Sequence, residues 1–94
     1  MKTYGLPVAA GSVKVAYTGT AGTTAAVSKD ANCIRVISTT DCFIEITTAG
    51  TSAVADTGLY LPALVPEYFA CPAKAKVSAI QVTTAGTIYV TPFA

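Results

Sequence analysis

The side chains that most often move protons or hold metals are scarce in this sequence. Histidine is absent, which excludes Ser-His-Asp and Cys-His nucleophile arrangements and any histidine metal site. The five carboxylates, Asp30, Asp41, Glu45, Asp56 and Glu67, never form a close pair in the chain. A dyad of the kind that cleaves glycosides would have to be assembled by the fold. Asp30, Asp41 and Asp56 lie in segments that read as turns, where Asp bonds its own backbone. Three cysteines, Cys33, Cys42 and Cys71, are an odd number without CxxC spacing. Neither a fully paired disulfide set nor a zinc site is expected from them; they read as small buried apolar side chains. Thr18-Gly19-Thr20-Ala21-Gly22 is too short for a phosphate loop, and no helical pattern follows it. The expectation is a chain that is not an enzyme and holds no cofactor or metal.

Aromatic side chains offer a different chemistry. Tyr4, Tyr17, Tyr60, Tyr68 and Tyr89 could supply a platform for a sugar ring, which makes a small carbohydrate-binding β module the rival from another functional class. Their ordinary place is a half-buried one, with the hydroxyl at the surface. Tryptophan, often favoured for such platforms, is absent.

The elements that must position these residues are strands. Gly and Pro punctuate the chain at short intervals, and the runs between them are rich in Val, Ile, Thr and aromatics. Ser12 to Tyr17 alternates with period two, which puts Val13, Val15 and Tyr17 on one face. Thr18 to Thr24 reads as a loop and Ala25 to Ser28 as a weak strand. Asn32 to Ser38 and Asp41 to Thr47 form the clearest pair, joined as an antiparallel hairpin through Thr39, Thr40 and Asp41. Ile34 and Val36 share one face of the first, and Cys42, Ile44 and Ile46 one face of the second. Arg35 and Glu45 are expected as a cross-strand pair on the polar side. Cys33 and Cys42 fall on opposite faces of that hairpin, which argues against a disulfide between them.

A loop from Ala49 to Gly58 precedes Leu59-Tyr60-Leu61-Pro62 and a Pro-framed stretch ending at Pro72. Its three prolines rule out a central strand and indicate an edge strand or extended loop. Its large apolar residues either cap the core or dock on a neighbour. Lys76 to Val82 and Thr87 to Thr91 read as a last hairpin, with Ile88 and Val90 inward and Gly86 supplying a positive φ at the turn. Thr47-Thr48-Ala49-Gly50-Thr51 recurs as Thr83-Thr84-Ala85-Gly86-Thr87, which reads as one turn chemistry used twice. The whole is an all-β, small antiparallel β-sandwich with short strands, jelly-roll-like or Greek-key. Residues 1–11 form an N-terminal arm, and residues 12–94 form the single domain.

Composition bears on what such a domain does. The chain is 52% hydrophobic and only 12% charged, against roughly 25% charged in an average soluble domain. So few charges leave a free monomer prone to association, unless partner subunits cover much of its surface. The net charge is +1 with its charges scattered singly, so no basic stripe is present to neutralise phosphates and nucleic acid is not an expected partner. No segment combines a helical apolar face with a basic one, and membrane binding is not expected either. The charge-free run from Val77 to Ala94 contains Gln81, Gly86 and Pro92 and reads as a hairpin, not a membrane span. The N-terminus has one Lys before small apolar residues, but Gly5 and Pro7 break the stretch a signal peptide needs. A cytosolic folding environment is expected.

The segment order Cys33-Ile34-Arg35-Val36-Ile37-Ser38, Cys42-Phe43-Ile44-Glu45-Ile46, Tyr60-Leu61-Pro62-Ala63, Val65-Pro66-Glu67-Tyr68-Phe69, Val77 to Val82 and Gly86 to Thr91 is similar to that of small β-sandwich virion proteins of tailed bacteriophages. The resemblance covers residues 12 to 92. It implies a capsid decoration or cement protein, made in the host cytoplasm and carried on the capsid exterior. Its implied partner is the major capsid protein, and it would be a homo-oligomer, a trimer among the options. A head-fibre or tail component is the runner-up within that class. The interface candidates are Leu64, Val65, Tyr68 and Phe69 in the Pro-framed segment, whose stiffness presents apolar groups at little entropic cost. Tyr4 and Leu6 are added from the arm, which can reach a neighbour without disturbing its own fold.

Overall fold

The computed structural model describes residues 12–27, 29–54 and 56–93; the expected arm, with Tyr4 and Leu6, lies outside the described residues. The Val-, Ile- and Thr-rich runs become eight strands: β1 Val13–Tyr17, β2 Gly22–Thr23, β3 Cys33–Ser38, β4 Cys42–Thr47, β5 Leu59–Leu61, β6 Glu67–Ala70, β7 Lys76–Gln81 and β8 Gly86–Phe93. They form two four-stranded antiparallel sheets, in the orders β1-β8-β3-β6 and β2-β7-β4-β5. Strand one pairs with eight, two with seven, three with six and four with five. The chain is therefore one long antiparallel ribbon, folded back between β4 and β5 and rolled up. This is the strand order of a jelly roll.

Alternation placed Tyr17, Ile34, Val36, Cys42, Ile44, Ile88 and Val90 inward as expected. Tyr17, Ile34, Val36, Cys42, Ile44, Leu61, Val77, Ala79, Ile88 and Val90 are buried between the sheets, with Val13, Val15, Ile46 and Phe69 packed at the margin. Each fully buried Ile, Leu or Val contributes about 1.5–3 kcal/mol relative to an exposed one. The Pro-framed segment supplies β6 at one sheet edge, after β5 at an edge of the other, where missing N–H groups and short length are tolerated. Pro92 is buried within β8 opposite Ile34, but beyond the residues that pair with β1. On that side no described strand asks it for a hydrogen bond.

Several expectations are corrected. Neither predicted hairpin forms: β3 and β4 belong to different sheets, as do β7 and β8. Residues 39–41 and 82–85 carry the chain from one sheet to the other. Arg35 and Glu45 are consequently not a pair; Arg35 lies between Thr91 and Tyr68, and Glu45 beside Ser78. Strand β2 forms inside the stretch read as a loop, while residues 25–27 are not a strand. Gly86 does not adopt a positive φ, whereas Gly50 does, at 77°. The two Thr-Thr-Ala-Gly-Thr segments thus have different conformations. In the first, Thr47 Oγ1 accepts from the Gly50 and Thr51 N–H groups, each at 3.0 Å. In the second, glycine is needed for space, because a Cβ at Gly86 would run into the hydroxyls of Thr39, Thr40 and Tyr17.

Candidate functional site

Rolling the ribbon gathers four connections at one end of the sandwich: residues 18–21, 39–41, 62–66 and 82–85. Backbone bonds tie them side by side. Gln81 N donates to Thr18 O at 3.1 Å, Val82 N to Asp41 O at 3.3 Å and Leu64 N to Ser38 O at 2.8 Å. The Asp41 carboxylate accepts from Ala63 N at 2.7 Å. Beneath them Tyr17, 1% exposed, donates its hydroxyl to Thr40 O at 2.8 Å and touches Thr40 Oγ1 at the same distance. Thr40 Oγ1 in turn donates to Thr84 O at 2.9 Å, and Thr87 N donates to Thr39 Oγ1 at 3.0 Å.

The electrostatics of this end fix one protonation state. Burial pushes the Tyr17 phenol up, against the opposing bond from Thr40. Burial likewise pushes the Cys42 thiol up, against weaker help from the Ser38 and Tyr17 hydroxyls. The Ala63 N–H and then the Tyr60 hydroxyl hold the Asp41 carboxyl below its usual value, and the same bond to Asp41 raises Tyr60. Every shift moves a pKa further from 7, so Tyr17, Tyr60 and Cys42 stay neutral and Asp41 charged around pH 7. Elsewhere, burial and then the nearby Cys33 raise the Cys71 thiol, and all three cysteines are free. Among the described residues no group of three or more Cys, Asp or Glu is placed to hold a metal ion. No helix among them is long and apolar enough to cross a membrane.

The connections expose Thr18, Thr20, Thr39, Thr83 and Thr84, and the sheet face beside them presents an apolar row. Ile80, Phe43 and Tyr60 stand opposite one another on β7, β4 and β5. Their neighbours Ala79, Cys42, Ile44 and Leu61 are buried, so the row points away from the core. Phe43 and Tyr60 meet edge to face, with ring centroids 5.7 Å apart. Two residues beyond Ile80 comes Val82, and two residues before Phe43 comes Asp41, whose charge is already engaged by Ala63 and Tyr60. Leu64 and Val65 close the corner, 69% and 43% exposed. Leu64 holds φ at 61°, a left-handed conformation that costs a leucine about 1–2 kcal/mol.

Of the interface candidates, Leu64 and Val65 therefore belong to this corner. Tyr68 is also exposed but faces outward from the other sheet, opposite Arg35. Phe69 alternates inward against Ile34 and packs, partly buried, at the core margin. Of the described tyrosines, Tyr17 is buried and Tyr60 lies on the β2-β7-β4-β5 sheet, leaving Tyr68 and Tyr89 to share one face. Ile80, Phe43 and Val82 were not among the candidates. Period-two alternation marks Ile80 and Phe43 as outward facing, but the pairing that joins them to Tyr60 is long-range. Comparison with protein-family models, curated proteins and solved structures found no match to this chain.

Proposed function

We propose that this chain is a structural virion protein of a tailed phage, decorating and stabilising the capsid by packing against major capsid protein subunits. The observation that carries the proposal is the apolar corner of Ile80, Phe43, Tyr60, Val82, Leu64 and Val65. It is braced by bonds between four connections, and its single carboxylate is already occupied. In a chain with only 12% charged residues, such a braced apolar surface supports burial against another protein. The jelly-roll order is shared by capsid and lectin domains, which is compatible with this role without assigning it. The resemblance in segment order points the same way.

The test is co-sedimentation of the purified chain with empty heads of the phage that encodes it, followed by electron microscopy of the particle. The chain is expected to saturate sites across joints between capsid subunits. Leu64→Lys and Tyr60→Glu are expected to weaken binding at least tenfold while leaving the fold intact. A monomer with no affinity for heads would refute the role, and density confined to a fibre or tail would reassign it within the particle.

A further inference from the structure

The outward face of the β1-β8-β3-β6 sheet carries an arrangement separate from the apolar corner. Arg35 stands at its middle, half-buried, with Thr91 opposite on one side and Tyr68 on the other. Among the described residues its side chain shows no hydrogen bond or ion pair, so five N–H donors in a fixed planar fork are left for something else. In the adjoining row Tyr89 lies between Lys14 and Ile37, and 44% of its surface is exposed. A cleft of about 340 Å³ opens alongside, lined by Ser12, Val13, Lys14, Tyr89, Val90 and Thr91. That volume sits at the lower end of the range for small-molecule sites. The hydroxyls of Ser12 and Thr91 in its wall are joined only by a long 3.4 Å bond.

Charge on this face is of one sign. Asp30, Asp41 and Asp56 are in connections, Glu45 is on the other sheet, and Glu67 lies opposite the inward Val36. Lys14 and Arg35 thus flank an exposed ring and two hydroxyls with no carboxylate from an outward position of the sheet. We propose that this face binds an acidic saccharide. The Arg35 fork takes the carboxylate, Tyr89 stacks on the sugar ring, and Ser12, Thr91 and Lys14 bond hydroxyls or a further acidic group. A planar fork matches a carboxylate in two parallel bonds, and an exposed phenol ring suits the apolar face of a pyranose. An acidic peptide would meet the cations but has no use for the ring and hydroxyls together. Peptide binding by strand addition would use the free edge of β1 through backbone bonds, and would need neither the Arg35 fork nor the Tyr89 ring. The proposal does not depend on capsid binding, and each stands or falls by its own assay.

Titration calorimetry of the full chain with trigalacturonate and sialyllactose, and with trigalacturonate methyl ester and lactose as neutral counterparts, tests it. Saturable binding of an acidic sugar is expected, weakened about tenfold or more in the neutral counterpart, because bonds to a charged group carry that much. Arg35→Gln and Tyr89→Ala are each expected to cause a comparable loss. Tyr60→Ala on the opposite sheet should cause none, and circular dichroism checks that each variant folds. Arg35→Lys retains charge but loses the fork, and should recover only part of the affinity. Absence of saturable binding up to about 1 mM, equal affinity for the neutral sugars, or equal affinity for hexaglutamate would each overturn the proposal.

Discussion

Two serines, both 1% exposed, make opposite predictions. Ser38 Oγ is buried on the inner side of β3 with no hydrogen-bond partner; the nearby Cys42 thiol is only a weak one. Burying a hydroxyl unpaired costs about 1–3 kcal/mol. Ser38→Ala removes that cost and leaves a void of a single oxygen, worth less than the roughly 0.8 kcal/mol of a buried methylene. The variant should be more stable by about 0.5–2 kcal/mol. Ser78 Oγ, in contrast, accepts from the buried Ala53 N–H at 2.8 Å and pins Ala53 to the outside of β7. Ser78→Ala orphans that N–H, and should destabilise by about 1–3 kcal/mol. Urea denaturation with unchanged slope reads both values, and melting should shift up for one and down for the other by roughly 4–8 °C per kcal/mol. A Ser38→Ala variant less stable than the parent by more than about 0.5 kcal/mol would refute the reasoning, since it would mean the hydroxyl holds a full bond.

Three further variants test the corner and its bracing. Gly86→Ala should destabilise by about 1–3 kcal/mol as an overpacked site, because the added methyl must displace Thr39 Oγ1 at 2.7 Å and the Tyr17 hydroxyl at 2.8 Å; a melting point equal to the parent's would show that the network yields freely. Leu64→Gly relieves the left-handed strain but loosens the unfolded chain, for a net gain of up to about 1 kcal/mol, while head binding falls; a variant that melts lower than the parent contradicts the strain. Asp41 has a folded pKa held below its unfolded value, so its contribution is present above about pH 4 and is lost as pH falls through the folded value. Asp41→Asn should therefore be less stable than the parent at pH 7 and approach it as pH falls below about 4, and urea midpoints that stay equally separated as acid is added would exclude the linkage.

The sequence spoke clearly about faces and poorly about partners. Alternation assigns Ile34, Val36, Ile44, Ile88 and Val90 to the core whichever strand lies alongside, because a strand's two faces are set by its own period. The three residues between β3 and β4 are ambiguous for a geometric reason. They can close a hairpin between neighbours about 4.8 Å apart, or at about 3.3 Å each they can reach the roughly 10 Å to the facing sheet. Both predicted hairpins failed at this choice, and the Arg35–Glu45 pair failed with them. Gly86 was misread for a related cause: its need for space arises from Thr39, Thr40 and Tyr17, which only the rolled ribbon brings to it.

The same long-range pairing decides which surface is available for assembly. A segment chosen for its apolar content is divided by the strand it forms, which sends Tyr68 and Phe69 to opposite sides. The corner instead draws on β4, β5 and β7 and on two connections, none of which is distinctive alone. Its most exposed member, Leu64, is also the one held in an unfavourable conformation. Two bonds, from Leu64 N to Ser38 O and from Ala63 N to Asp41, keep it there. Strain retained at a solvent-facing leucine contributes nothing to the core, and such strain tends to persist where function requires it. Those bonds offset part of the strain within the chain, and Leu64→Gly separates the backbone's contribution from the side chain's.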